Sequence, residues 1–219
     1  MGSLGMEGRF ITIEGPEGAG KSTQLQRIAD RYRRLGRPVL VIREPGGTPA
    51  GERIRTILKD PGLAGQIAPE TELLLVNASR SELIRQIILP ALGEGRIVLC
   101  DRFVDSTVAY QGYGRGLDLA KLWEVIGYAT GGLMPETTIF LELSLEASEE
   151  RRRQRERRGG EDSGADRFER LDRAFFRRVE LGFKEIIRRD PNRVRAVDAL
   201  GEPEEVTERI WDILHRKPG

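Results

Sequence analysis

With 219 residues and a formal net charge of +1, the chain has the length of one α/β domain and no bulk charge that would draw it to nucleic acid or to a membrane. The single cysteine, Cys100, excludes an internal disulfide. The one histidine, His215, lies near the C-terminus, so we expect neither a cysteine–histidine zinc site nor a Ser-His-Asp triad. No run approaches the ~20 apolar residues that span a bilayer, and the N-terminus lacks a signal peptide's features. We therefore expect a cytoplasmic protein.

The chain begins with MGSLG, and we predict a disordered leader over residues 1–8, followed by a single domain over residues 9–215. Short apolar runs then alternate with stretches of helical periodicity. The runs predict strands at residues 10–14, 39–42, 97–100, 138–143 and 194–197, and the first helix is predicted at residues 22–35. Buried strands separated by helices indicate parallel βαβ units, in which ligands bind at the carboxyl ends of the strands.

The turn between the first strand and the first helix reads GPEGAGKS, which fits the phosphate-binding pattern G-x-x-x-x-G-K-[ST]. The pattern predicts that backbone N–H groups cradle the phosphates of ATP, that Lys21 reaches the β/γ oxygens, and that Ser22 ligates Mg²⁺. We expect a three-layer P-loop fold with a central parallel five-stranded sheet flanked by helices. The predicted ATP-binding residues are Gly15, Pro16, Glu17, Gly18, Ala19, Gly20, Lys21, Ser22 and Thr23.

A P-loop alone leaves open a GTPase switch, a motor or transport ATPase, and a small-molecule kinase. Four segments together resemble the bacterial thymidylate kinases: EGPEGAGKS at 14–22, REPGGTP running on to GERIR at 43–55, DRFVDSTVAYQG at 101–112, and DRFE at 166–169. The resemblance extends over nearly the whole chain. It implies an enzyme that transfers the γ-phosphoryl group of MgATP to dTMP, giving dTDP and ADP.

The resemblance also implies roles for individual residues around the acceptor. Arg102 bridges the donor and acceptor phosphates, and Asp101 holds a water on Mg²⁺. Glu17 binds the 3′-hydroxyl, and Tyr110 supports the deoxyribose. The residues implied to bind dTMP are Glu17, Arg43, Pro45, Arg55, Val76, Arg80, Arg102, Thr107, Tyr110 and Gln111.

Within that set, Arg80, Thr107 and Gln111 are implied to face the base. Val76 departs from the family pattern, because this position usually carries a phenylalanine that stacks on thymine. The loss of a flat ring keeps open a kinase of another nucleotide or deoxynucleoside. A P-loop switch protein is the other alternative, but the guanine-reading segment N-K-x-D does not occur in the sequence.

An arginine-rich segment lies near the predicted fourth strand and is similar to the closing lid of family members whose P-loop carries no arginine. We place this lid at about residues 146–168. On a helix, Arg151, Arg155 and Arg158 share one face, and we predict Arg155 and Arg158 as catalytic residues together with Lys21 and Arg102. The other arginines of the segment are Arg152, Arg153, Arg157 and Arg167. A solvated basic helix or a weak nucleic-acid patch is the alternative.

The resemblance implies Mg²⁺ as the cofactor, ATP and dTMP as the ligands, and a homodimer as the assembly. Nucleic acid and membrane are not expected as partners.

Overall fold

In the computed structural model, which describes residues 8–157, 167–168 and 171–215, five strands form one sheet. The strand order is β2-β3-β1-β4-β5 and every neighbouring pair is parallel. This confirms the predicted α/β fold, with strand bounds that differ from the prediction by a residue at some ends. Residues 1–7, the main part of the predicted leader, lie outside the described residues. The strands are β1 (Arg9–Glu14), β2 (Val39–Arg43), β3 (Ile97–Asp101), β4 (Thr137–Glu142) and β5 (Val194–Asp198).

Nine α-helices occur in the described part of the chain, and two π-helical segments, Ile84–Ile88 and Val108–Gly114, continue α3 and α5. A single 3₁₀ turn covers Pro61–Leu63. None of the described helices is both long and apolar enough to cross a membrane. The helices are α1 (Lys21–Arg34), α2 (Pro49–Lys59), α3 (Pro69–Leu83), α4 (Leu89–Gly93), α5 (Val104–Thr107), α6 (Leu119–Thr130), α7 (Leu145–Arg157), α8 (Arg173–Arg189) and α9 (Pro203–His215).

The sheet is covered on both faces, so alternate residues of one strand enter two different cores. On β1, Ile11 packs with α1 and α9, whereas Phe10 packs on the opposite face with α3, α6 and α8. Burial on both faces explains why the strands read as continuous apolar runs in the sequence. The result is the three-layer arrangement that was predicted.

Register brings the carboxyl ends of three strands together. Asp101 at the end of β3 pairs with Ile13 of β1 and with Arg43 of β2. Charged residues that are distant in the sequence therefore meet at one edge of the sheet.

Close packing also fixes the π-helical segment Val108–Gly114 against α8. A Cβ added at Gly182 would lie 2.9 Å from the ring of Tyr113, and one at Gly114 would lie 2.7 Å from Phe175. The two glycines thus allow α8 to approach the segment that carries Tyr110 and Gln111. This contact holds that segment at the edge of the sheet.

Candidate active site

A cleft of about 1000 Å³ opens at the carboxyl edge of the sheet. It lies between the P-loop, α2, α3, the ends of β2 and β3, and the segment that follows β3. All ten residues predicted to bind dTMP line this one cleft, and so do Ser22 and Asp101. The sheet edge therefore brings the predicted donor and acceptor sets into a single cavity.

The P-loop backbone is shaped for a phosphate. Gly20 has φ +90°, and a Cβ on Gly15 would lie 2.8 Å from the carbonyl oxygen of Leu141. The first turn of α1 has no side-chain cap and no acidic residue, which leaves its N–H groups available to an anion. Of the predicted ATP-binding residues, six line the cleft, while Gly15, Pro16 and Ala19 do not.

Lys21 turns back onto its own loop. Its Nζ donates to the carbonyl oxygens of Gly15 and Pro16, at 3.1 and 2.8 Å. Burial, with a further contribution from the positive charge of Arg102, lowers the pKa of Lys21 to about 8. An anionic phosphate placed beside this ammonium would restore its charge.

This lowered pKa predicts that MgATP binding weakens at alkaline pH. Below about pH 8 the free protein carries a protonated Lys21, and above it the ammonium loses the proton that the phosphates need. Between about pH 7 and about pH 9 the affinity should fall about tenfold. Calorimetric titration of MgATP measures this, and Lys21→Arg should lack the fall because a guanidinium stays charged. An equal fall in both proteins would contradict the assignment to Lys21.

Ser22 and Asp101 face each other where a metal ion is predicted. Ser22 Oγ donates to Asp101 Oδ2 at 3.4 Å, while Oδ1 of Asp101 is buried and receives no hydrogen bond from any described residue. Mg²⁺ prefers oxygen ligands and is usually held by one or two protein groups together with substrate phosphates. A hydroxyl beside a carboxylate with a free oxygen fits that requirement.

Arg102 adopts a backbone conformation that is rare for a residue with a side chain. Its φ is +66°, its N–H donates to Ile13 O at 3.1 Å, and its carbonyl accepts from Cys100 Sγ at 3.1 Å. Such a left-handed conformation costs about 1–3 kcal/mol and persists where the surroundings determine it. It directs the guanidinium into the cleft, where it donates to Ser106 Oγ at 3.0 Å and lies 5.2 Å from the Tyr110 ring.

Glu14 is a site residue to which the sequence analysis assigned no role. Its fully buried carboxylate accepts from the N–H of Phe103 at 2.7 Å and from Ser106 Oγ at 2.5 Å, and lies 4.0 Å from Arg102. Burial raises the pKa of Glu14 to about 7, although Arg102 acts in the opposite direction. The signal was a carboxylate at the end of an apolar strand, directly before the P-loop.

Arg80, which is predicted to face the base, is hydrogen-bonded on several sides and is only 1% exposed. Its Nε and Nη2 donate to Glu44 Oε2 at 2.9 and 2.7 Å, and Nη2 also donates to Thr107 Oγ1 at 2.9 Å. Its Nη1 donates to Asn77 Oδ1 at 3.0 Å. Glu44 and Asn77 thus orient the arginine, and Thr107 keeps its own O–H available as a donor.

Gln111 is linked to a second buried carboxylate. Its Nε2 donates to Glu72 Oε1 at 2.7 Å, and Glu72 also forms ion pairs with Arg115 and Arg167 at 2.9 and 2.7 Å. Arg167, included among the arginines of the predicted lid, is 3% exposed and also donates to Leu58 O at 2.8 Å. Its guanidinium lies near the start of α3, where it supplies a cation to the buried carboxylate of Glu72.

The two remaining arginines predicted to bind the acceptor are Arg43, at the end of β2, and Arg55, on α2. Arg43 Nη2 donates to Glu52 Oε2 at 3.0 Å, and Arg55 Nη1 donates to Pro45 O at 3.0 Å. Glu52 in turn accepts from the N–H of Gly47 at 2.7 Å. The first turn of α2 therefore holds the segment after β2 against the cleft.

The predicted lid helix α7 is attached to the P-loop at its start. Ser148 Oγ donates to Glu17 O at 2.7 Å, and Arg151 Nη1 donates to Gly18 O at 3.2 Å. Arg151 lines the cleft, whereas Arg153 is exposed and lies 3.8 Å from Glu149. The side chains of Arg152, Arg155 and Arg157, and all of Arg158, lie outside the described residues.

Comparison with known proteins agrees over the length of the chain. A family model described as "Thymidylate kinase" matches residues 13–210. The chain is 50% identical to the thymidylate kinase of Thermomicrobium roseum over 92% of each protein, and 45% identical to that of Desulfosudis oleivorans over 95% of this chain and 97% of the relative. A crystal structure of thymidylate kinase from Ehrlichia chaffeensis matches 95% of this chain and 100% of that one, with TM-score 0.76 and 29% identity.

Proposed function

Because this chain belongs to the thymidylate kinase family, we propose that its cleft binds MgATP at the P-loop and dTMP between α2, α3 and Arg102. The chain is an ATP-dependent nucleoside monophosphate kinase that phosphorylates dTMP. The observation that carries the site assignment is that a P-loop and a set of arginines line one cleft of about 1000 Å³. The arrangement brings two anionic substrates side by side.

The reaction is in-line attack of a dTMP phosphate oxygen on the γ-phosphorus, and it needs no enzyme nucleophile. Lys21 and Arg102 offset the negative charge that the two substrates bring together. Arg102 is suited to contact both phosphates because a guanidinium presents several donors in one plane. Ser106 and Glu14 hold this guanidinium, so little reorganisation is needed when the substrates arrive.

Mg²⁺ is the proposed cofactor, held by Ser22 and, through a water, by Asp101. When bound with ATP it neutralises phosphate charge and orients the phosphate oxygens. The proposal is supported by the Asp101 oxygen that has no partner among the described residues.

Arg155 and Arg158 remain the proposed catalytic arginines of the lid at residues 146–168. Arg151, one turn before Arg155, already lines the cleft, which supports the orientation of this helix face toward the phosphates. Single Arg155→Ala and Arg158→Ala variants test the choice. Unchanged kcat in both would eliminate them.

The proposed substrate is tested by ADP release from MgATP with dTMP, dUMP, UMP, CMP, AMP and GMP. We expect a clear preference for dTMP. Activity with another acceptor but not with dTMP would be consistent with a kinase and would contradict the proposed substrate. No ADP release with any of the acceptors would contradict the site assignment.

Val76 is the position where the aromatic ring that usually stacks on thymine is missing, and it lines the cleft. We predict that Val76→Phe lowers the KM for dTMP about tenfold, because base–aromatic stacking contributes about 1–3 kcal/mol. The kcat should change little, since the ring contacts ground state and transition state alike. Steady-state kinetics measure both values. Val76→Leu adds bulk without a flat ring and is the control; an equal effect of both substitutions would refute stacking.

A homodimer is the proposed assembly in the cytoplasm. Leu74 on α3 and Trp123 and Tyr128 on α6 are large apolar or aromatic side chains with exposed surface, and Tyr128 is 90% exposed. The two helices pack against each other, and their exposed apolar and aromatic side chains are the proposed contacts of the interface. Light scattering should give a dimer mass, and Tyr128→Glu should lower it while Leu181→Glu on α8 does not. A monomer mass for the unmodified chain would refute the assembly.

A further inference from the structure

Glu72 has no role in the function described so far. Glu72 is completely buried near the start of α3. Its Oε1 accepts from Gln111 Nε2 at 2.7 Å and from Arg115 Nε at 3.2 Å. Its Oε2 lies 2.9 Å from Arg115 Nη2 and 2.7 Å from Arg167 Nη1. Two cations and one neutral amide therefore surround a single carboxylate.

This environment keeps Glu72 ionised at neutral pH. Burial by itself would raise the pKa of Glu72, but hydrogen bonds from Arg115 and Gln111 and the charges of Arg115 and Arg167 lower it below its usual value. An ionised carboxylate has no proton to donate and can only accept hydrogen bonds. The amide of Gln111 must then present its NH₂ group to Glu72.

The position of the Gln111 carbonyl oxygen, Oε1, is fixed by the same contact, because it is the other end of the amide. Gln111 lines the cleft, and no described residue hydrogen bonds to its Oε1. A carbonyl oxygen that is left over in a binding cleft serves as an acceptor for a ligand N–H.

We propose that Glu72 is a positioning residue that orients Gln111 so that its carbonyl, and not its NH₂ group, faces the nucleobase. Thymine and uracil carry a hydrogen-bond donor, N3–H, whereas N3 of cytosine is an unprotonated acceptor. The arrangement therefore selects keto pyrimidine monophosphates against cytidine monophosphates. The inference rests on the proposed function, in which Gln111 faces the base.

Glu72→Gln tests the proposal because it should reverse the orientation of the Gln111 side-chain amide. Oε2 lies 2.9 and 2.7 Å from donors of two arginines, whereas the arginine donor at Oε1, Arg115 Nε, is a single one at 3.2 Å, so the carbonyl oxygen of the new amide takes the Oε2 position. Its NH₂ group then occupies the Oε1 position and needs an acceptor from Gln111. Gln111 would rotate to offer its carbonyl to residue 72, and its NH₂ group would face the base.

The experiment measures kcat/KM for dTMP and for dCMP in the same protein preparation. The ratio of the two values is independent of the fraction of folded enzyme. Glu72→Gln should lower the dTMP:dCMP ratio at least about tenfold, because one base loses a hydrogen-bond partner and the other gains one. The KM for ATP should stay unchanged. Glu70→Gln, an exposed glutamate on the first turn of the same helix, is the matched control and should leave the ratio unchanged.

Gln111→Ala separates the inference from the proposed function. It should lower the ratio by itself, and in that background Glu72→Gln should lower it no further. An unchanged ratio in Gln111→Ala would overturn the base-facing role of Gln111. A lowered ratio in Gln111→Ala with an unchanged ratio in Glu72→Gln would overturn the role of Glu72 alone. If Glu72→Gln lowers the dTMP:dCMP ratio by the same factor in the Gln111→Ala background as in the unmodified protein, Glu72 does not act through Gln111. That result would also overturn the positioning role of Glu72.

If the removal of a buried negative charge beside two arginines prevents folding of Glu72→Gln, a second variant is needed. The charge-balanced variant Glu72→Gln/Arg115→Met then replaces it, with Arg115→Met as its reference. Arg167 still requires the oxygen of residue 72, so the same inversion and the same change in the ratio are expected.

Discussion

Lys21→Ala should lower kcat about 10²–10³-fold while the protein stays folded. The ammonium is the P-loop group proposed to reach the transferring phosphate, and removal of one charged donor from a preorganised site costs about that factor. In the free protein the ammonium donates hydrogen bonds to two carbonyl oxygens of its own loop, those of Gly15 and Pro16. The measurement is kcat with saturating MgATP and dTMP, together with thermal unfolding of the free protein.

The thermal stability of Lys21→Ala distinguishes a role in phosphate binding from a structural role. Burial lowers the pKa of Lys21, so the folded free protein holds this charge at a cost and its removal should leave the melting temperature unchanged or higher. Lys184→Ala, which removes an exposed lysine paired with Glu180 on α8, should retain full turnover. Near wild-type kcat in Lys21→Ala would eliminate the phosphate role, and a collapse of stability would point to a structural one.

The sheet and the P-loop were predictable because their signals are local. Strands buried on both faces read as apolar runs, and residues 15–22 carry a complete motif between a strand and a helix. Parallel pairing then brings the ends of β1, β2 and β3 to one edge, so the positions of Arg43 and Asp101 follow from the topology. The proposed acceptor-binding residues required the family resemblance, since a lone arginine on a helix, such as Arg55, carries no signal of its own.

The burial of the carboxylate of Glu72 could not be predicted from the local sequence. Glu72 follows Pro69 and Glu70 in what reads as an acidic first turn of a helix, and its partners Gln111, Arg115 and Arg167 come from other elements. Only the tertiary fold shows that this acidic residue is buried while its neighbour Glu70 is exposed.

Two unusual backbone conformations could not be predicted from the sequence either. The π-helical turn Val108–Gly114 has the composition of an ordinary helix, and the left-handed φ of Arg102 is one that sequence patterns assign to glycine. Both features arise where the chain leaves β3 and turns into the cleft. Packing against α8 and the hydrogen bond from the Arg102 N–H to Ile13 O impose them from outside the segment.

Arg102→Gly should abolish most of the activity and yet be more stable than Arg102→Ala. Both variants remove the guanidinium proposed to contact the two phosphates, and kcat should fall about 10³-fold in each. Both also leave Glu14 without its nearby cation, so this loss is common to the pair. They differ in the backbone, because glycine adopts φ near +66° without the clash that an alanine Cβ meets.

The difference in the free energy of unfolding between the two variants should be about 1 kcal/mol in favour of glycine. Urea unfolding at pH 8 measures it, and kcat at saturating substrates measures the common loss of activity. Arg188→Ala, an exposed arginine paired with Glu185 on α8, should leave kcat unchanged. Greater stability of Arg102→Ala would contradict the strained conformation. Unequal losses of kcat would mean that the backbone, and not only the guanidinium, acts in the reaction. Equal losses with a more stable glycine variant would mean that this protein keeps a strained residue at the end of β3 for the charge that its side chain places in the cleft.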